Sequence, residues 1–264
     1  MTLNHKVFWL TGASSGIGKA LALHLSVNDS IKLILSARRE IALNEVKTLC
    51  NYPENISVLP FDLANLNDMP EIANQAIKAF GKVDILVNNG GVSQRSLIIE
   101  TSIEVDKKLM EVDYLGTVAL SKAILPHFIK NKSGHFVVVS SLMGKFSTPY
   151  RSGYCGAKHA LHGFFDALRM EHHTDGIHVT MVCPGFVNTN VAINALTGSG
   201  HTQNSQDTAT EKGLSAEVFA RRMTKAITKK KFEVYIGKKE VLGIYLKRFF
   251  PKILHHYVLR STVR

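Results

Sequence analysis

In the stretch SGYCGAK, residues 152–158, Tyr154 and Lys158 stand four residues apart among small neighbours. On a helix that is about one turn, so a phenol and an ammonium project from the same face. A free phenol titrates at about 10, too high for an efficient base at neutral pH, and a nearby cation favours the phenolate. The pair could therefore serve as a tuned acid/base. The spacing alone suits two surface side chains equally well, so the surrounding chain has to decide.

A second motif bears on that choice. TGASSGIG, residues 11–18, follows the apolar run KVFWLT and precedes a helical pattern. In that context Gly12 allows a tight turn, Gly16 lets the backbone approach a phosphate and Gly18 permits close helix–strand packing. Ser14, Ser15 and Ile17 complete the turn, and the N–H groups at the start of the helix suit an anion. The next strand ends in SARRE, with Ala37, Arg38 and Arg39 where an NAD-specific dinucleotide fold carries an acidic residue. A carboxylate would repel a 2′-phosphate and a guanidinium can grip it, so NADP(H) is favoured over NAD(H).

The elements that must position these groups follow from periodicity. Short β-branched runs occur at 6–11, 31–37, 55–60, 83–88, 135–141, 177–183 and 232–237. Helical patterns follow at 17–27, 39–50, 65–79, 101–131, 151–174 and 215–229. The middle strands are apolar on both faces, as in a parallel sheet covered by helices on each side. The expected fold is a single α/β domain, a Rossmann-like doubly wound parallel sheet of about seven strands in the order 3-2-1-4-5-6-7. Residues 1–237 form the dinucleotide-binding and catalytic domain, and 238–264 form a basic extension. The polar stretch TGSGHTQNSQDTATEKG, 197–213, lacks periodicity and is expected to be a substrate lid within about 190–215.

Composition narrows the setting. The chain has 264 residues and a net charge of +11, but residues 211–264 alone carry 14 Lys/Arg against 4 Asp/Glu. The body is nearly neutral, so its charge gives no reason to expect nucleic acid. Cys50, Cys155 and Cys183 form no C-x-x-C pair, which argues for a reducing compartment. There is no H-E-x-x-H, His159 and His162 lack neighbouring ligands in sequence, and no metal is expected. No run reaches the ~18 apolar residues of a membrane span. A cytoplasmic protein, soluble or peripherally membrane-associated, is expected.

Taken in order, TGASSGIG (11–18), NNGG (88–91), Ser140–Ser141, YCGAK (154–158) and PGFVNT (184–189) resemble the short-chain dehydrogenase/reductase family over residues 5–240. VFWLTGASSGIG, SGYCGAKHALHGFFDALRMEH and the basic C-terminus look more narrowly like its subgroup of dehydrogenase/reductase member 7-like and 11β-hydroxysteroid dehydrogenase-like enzymes. The resemblance implies hydride transfer between a nicotinamide and a carbonyl or alcohol, on an apolar lipid-, steroid- or retinoid-like substrate. It makes Tyr154 the acid/base and Lys158 both its tuner and a holder of the nicotinamide ribose, and it counts Tyr154 with Lys158 among the cofactor contacts. The family serine lies thirteen residues before the tyrosine, which selects Ser141 over Ser140. Asp62 matches a residue near the adenine, and Asn88 to Gly91, including Asn89, meet the adenosine ribose. Pro184, Gly185 and Val187 lie beside the nicotinamide, with Thr189 on its carboxamide.

One position departs from the pattern. The family's N-x-x-G motif reads DYLG here, so Asp113 replaces the fourth catalytic residue, an asparagine. An ionised Asp113 near Lys158 would stabilise the ammonium and offset its pull on Tyr154. The expectation is an active enzyme with a shifted pH profile rather than an impaired one, the alternatives being a non-catalytic dinucleotide-binding redox sensor or a membrane-associated scaffold. The resemblance also implies a homodimer or homotetramer through 101–131 and 151–174. In the tail, Val241, Leu242, Tyr245, Leu246 and Phe249 share an apolar helix face among basic residues, interrupted at Pro251. That pattern suits an anionic membrane surface. It equally suits a fold over the substrate cleft or against a partner subunit.

Overall fold

The computed structural model describes residues 2–261; the last three residues of the extension, 262–264, lie outside the described residues. Seven parallel strands are Val7–Thr11 (β1), Lys32–Ser36 (β2), Ile56–Val58 (β3), Ile85–Asn88 (β4), Gly134–Val139 (β5), Ile177–Pro184 (β6) and Glu233–Ile236 (β9). Val187–Asn188 (β7) and Leu214–Ser215 (β8) pair apart from them. The large sheet runs β3-β2-β1-β4-β5-β6-β9, which is the expected spatial order. The order reverses between β1 and β4, and strands on either side of such a switch leave a crevice at their carboxyl ends.

Helices Gly16–Leu25 (α1), Glu40–Leu49 (α2) and Ala216–Thr228 (α8) cover one face. Met69–Phe80 (α3), Gly116–Lys130 (α5) and Ser152–Glu171 (α6) cover the other. The period of two in β1 explains the two layers. Phe8 and Leu10 join the core under α1 and α8, while Val7 and Trp9 join the core under α3 and α5. Trp9 is fully buried and its indole N–H donates to Ser36 Oγ at 2.9 Å, so burial of that polar atom carries little penalty.

Two predicted elements take a different form. The helix expected over 101–131 is Ile103–Leu109 (α4), a π turn at Met110–Leu115, and then α5. The widened turn carries Asp113 at its centre. The tail folds as two helices, Leu242–Phe249 (α9) and Pro251–Arg260 (α10). Pro251 has no N–H to give to a continuing helix and opens the second one instead. One face of this pair, Ile244, Leu246, Leu254 and Val258, packs on Leu142, Phe146 and Cys183. The 197–213 stretch holds local order: Leu196 bridges Gln94 and Thr202, and Thr208–Glu211 (α7) is a single helical turn. None of the described helices is long and apolar enough to cross a membrane.

Candidate active site

The turn after β1 is built from backbone. Gly12 has φ +64° and Gly16 φ +53°, left-handed values that disfavour any side chain. A Cβ at Gly18 would collide with the carbonyl oxygen of Gly12, so the helix can enter this close only with glycine there. Asn89, at the end of β4, grips the same turn: its amide nitrogen donates to Thr11 O at 3.0 Å and Gly12 O at 3.3 Å. The side chain expected to face a ribose is thus engaged in holding the turn. Ser14 and Ile17 are half-buried, and Ser15 is an exposed N-cap making no side-chain capping bond. Thr189 closes the turn from the other side, 3.2 Å from where a Cβ on Gly16 would lie.

Arg38 and Arg39 are exposed just beyond β2, and among the described residues neither forms an ion pair. Asp62, after β3, is half-buried, and its Oδ1 accepts the Ala64 N–H at 3.0 Å. A glycine cradle, the open first turn of a ten-residue helix and two unpaired guanidinium groups fit a dinucleotide phosphate chain. Among the described residues no group of His, Cys, Asp and Glu is arranged to hold a metal ion.

Ser141 begins the turn after β5. Its Oγ accepts the Met143 N–H at 3.1 Å, and burial leaves it 9 % exposed. Ser140 points elsewhere, with Oγ 3.0 Å from His162 Nε2 and donating to Lys158 O at 3.2 Å. Tyr154 and Lys158 lie on α6 with the ammonium 5.6 Å from the centre of the phenol ring. Lys158 Nζ donates to Val139 O at 3.3 Å and stands 3.5 Å from Asp113 Oδ2. Asp113 is fully buried, and its other oxygen accepts the Val92 N–H at 2.7 Å. The structure thus brings Ser141, Tyr154, Lys158 and Asp113 together at the carboxyl ends of β4 and β5.

The electrostatics follow from burial and neighbours. Burial raises the Asp113 carboxyl above its ordinary pKa, against the opposing pull of Lys158 and the Val92 N–H. For Lys158, burial works to lower the pKa, but Asp113 and Tyr154 more than offset it and the ammonium is held. Burial also pushes the Tyr154 phenol up; Lys158 draws it down, Asp113 raises it again and Ser141 favours the phenolate. The net direction for Tyr154 is upward.

Two groups absent from the sequence reading organise this site. Gln94 is fully buried; its Oε1 accepts the N–H groups of Gly153 at 2.9 Å and Tyr154 at 3.3 Å. Its amide nitrogen donates to Thr101 Oγ1 at 3.0 Å, so one side chain ties the first turn of α6 to the loop after β4. Asp207, in the expected lid, accepts from Arg95 Nη2 at 2.7 Å and lies 3.7 Å from Arg151 Nη2. Arg151 immediately precedes α6, and burial with Arg95 beside it lowers its pKa to about 10. Both are lone polar residues in loops, with no local pattern to announce them.

Comparisons with known proteins agree with this architecture. A family model described as short chain dehydrogenase matches residues 6–199. The chain is 39 % identical over 267 residues to a Drosophila melanogaster dehydrogenase/reductase SDR family protein 7-like, covering 98 % of this chain and 81 % of that protein. It is 48 % identical over 202 residues to human dehydrogenase/reductase SDR family member 7, covering 74 % of this chain and 59 % of that protein. A Burkholderia phymatum short chain dehydrogenase/reductase, solved in complex with NAD, superposes with a TM-score of 0.85 at 22 % identity, covering 96 % of each chain. The ordered motifs, the β3-β2-β1-β4-β5-β6-β9 sheet and these matches lead to one conclusion: the chain belongs to the short-chain dehydrogenase/reductase family of oxidoreductases.

Proposed function

We propose that the chain is an NADP(H)-dependent oxidoreductase that interconverts a carbonyl and an alcohol on an apolar substrate. The observation that carries this reading is the convergence of Ser141, Tyr154 and Lys158 beside the glycine turn, with Lys158 held as an ammonium 5.6 Å from the phenol ring. The dinucleotide supplies or accepts the hydride. Ser141 donates a hydrogen bond to the substrate oxygen and polarises it. Tyr154 gives that oxygen its proton in reduction and takes it back in oxidation, while Lys158 steadies the phenolate. With its pKa pushed upward, Tyr154 is a protonated acid at neutral pH, the form that carbonyl reduction requires.

NADP(H) over NAD(H) is supported by the exposed Arg38 and Arg39 after β2 and by Ala37 where an acidic residue would repel the 2′-phosphate. Gly12 to Gly18, Asp62, Asn89, Pro184, Gly185, Val187 and Thr189 frame the rest of that site. Oxidation of NADPH and of NADH against a panel of steroids, retinal, quinones and acyl ketones tests the reading. Turnover with NADPH that falls on replacing Arg38 and Arg39 by alanine is expected; no turnover with any carbonyl would end it.

The tail supports a further part of the proposal, peripheral contact with an anionic membrane. Its inner face is covered, yet Tyr245, Phe249, Phe250 and Tyr257 are exposed beside Lys247, Arg248 and Lys252. Co-sedimentation with phosphatidylserine vesicles, lost at high salt, is expected. Packing of the same exposed face against a partner subunit is the competing use of that surface, and sedimentation velocity without lipid detects it.

A further inference from the structure

After β9 the chain turns through Gly237 into a short helical turn, Lys239–Val241, and Glu240 projects back toward the end of β6. Its Oε1 accepts the N–H of Phe186 at 3.1 Å and that of Lys238 at 3.0 Å. A Cβ at Gly185 would collide with this carboxylate, and one at Gly237 would lie 2.7 Å from the same oxygen. Two glycines, each just beyond the end of a different strand, therefore clear room for a single acidic side chain. The neighbouring backbone is pinned as well: Gly185 N–H donates to Ile236 O at 2.9 Å, and Phe186 O accepts from Leu214 N–H at 2.9 Å. Lys238 Nζ donates to Lys212 O at 2.7 Å, tying the start of the extension to the end of the lid stretch. Farther along, α9 crosses so close to Phe146 that a Cβ at Gly243 would stand 2.8 Å from the ring.

We propose that Glu240 is a positioning residue for the turn Pro184–Val187, and that through it the C-terminal extension forms part of the dinucleotide site. The inference rests on reading that turn as the nicotinamide edge of the site. A carboxylate accepting two backbone N–H groups makes charge-assisted bonds, stronger and more directional than a neutral acceptor would. Without it, the Phe186 N–H has no acceptor and the turn can pull away from Ile236. Thr189, two residues beyond the turn, faces Gly16, so displacement of the turn opens the site on its nicotinamide side. The phosphate turn itself is held separately by Asn89, and the adenosine half of the site should not notice.

The experiment measures NADPH and NADH binding by fluorescence, and adenosine 2′,5′-bisphosphate binding by calorimetry, on the full chain. Glu240→Ala should weaken both dinucleotides by about tenfold, the worth of one charge-assisted hydrogen bond. The adenosine bisphosphate should bind as before. Glu240→Gln, which keeps an acceptor oxygen in place, should recover most of the affinity. Gly185→Ala should mimic the loss in the wild-type background and add little to Glu240→Ala, because the three atoms nearest the added methyl all belong to the Glu240 side chain that is then gone. Unchanged dinucleotide affinity in Glu240→Ala overturns the inference. So does an equal loss of the adenosine fragment, which would mark general damage. A wild-type chain that binds neither dinucleotide overturns the proposed function itself, a different result from either of these.

Discussion

Helix α6 carries two buried cations-in-waiting one turn apart, and they end in opposite states. Lys158 is 5 % exposed and stays an ammonium, with its pKa above the ordinary value. His162 is 7 % exposed and is neutral, its pKa lowered to about 4 by burial and then by Lys145. Each has a carboxylate near it, Asp113 at 3.5 Å and Glu233 at 3.8 Å. The carboxylates differ in their other commitments. Among the described residues Asp113 has only the Val92 N–H besides Lys158, whereas Glu233 is already paired with Lys145 at 2.8 Å. Lysine starts out far more basic than histidine, and under a similar burial the partner's spare charge decides in which direction each pKa moves.

That contrast can be broken at several points. The largest effect is expected from Tyr154→Phe, which removes the proton that the Lys158 side of α6 is arranged to handle. Turnover should fall by about 10²- to 10⁴-fold with dinucleotide affinity unchanged; retained turnover would end the assignment of Tyr154. Asp113→Ala should come next. It leaves the Val92 N–H without its acceptor and the buried Lys158 ammonium with the Val139 carbonyl but no counter-charge, a loss of about 3–5 kcal/mol in urea unfolding. A loss no greater than that of an exposed surface substitution would mean that the charge is not held by Asp113.

Asp113→Asn is the finer probe, since it keeps an acceptor for Val92 and removes only the anion. Because Asp113 raises the Tyr154 pKa, its neutralisation should move the rising limb of alcohol oxidation to lower pH. A kcat/KM profile that superposes on the wild type would remove Asp113 from the tuning of the phenol.

The smallest effects belong to the His162 side. A histidine whose folded pKa lies below its unfolded value binds a proton more readily when unfolded. His162 therefore costs nothing above about 6.5, and stability is lost as pH falls from there toward about 4. His135, lowered to about 3 by burial, acts in the same sense. Each contributes at most about 1.4 kcal/mol per pH unit. Lys145→Gln should free Glu233 for His162, raise the histidine's pKa and make the loss between pH 6 and 5 shallower. Histidine titration by NMR together with urea midpoints at both pH values would show it; an unmoved His162 resonance would contradict the account given for the pair.

How much of this could be read in advance depends on how local the cause is. The seven strands, the glycine turn and the Tyr154–Lys158 pair follow from spacing within a few residues, because pleat, helix period and tight-turn sterics are properties of short chain segments. Ser141 was reachable only through its distance from Tyr154 within a family pattern. The identity of Asp113 was visible, and so was its conflict with the phenol, but not the π turn that buries it against Val92. Gln94 was invisible, since what makes it matter is the first turn of α6, nearly sixty residues later. The same holds for Asp207 with Arg95 and for Glu240 with Phe186, where a single polar residue acquires its partner from a distant part of the chain. Periodicity and short motifs were enough for the order of layers and for the chemistry placed at the strand ends. Which buried charges survive, and which distant side chains hold the site in shape, came from packing, because desolvation and pairing depend on everything that surrounds a group and not on its neighbours in the chain.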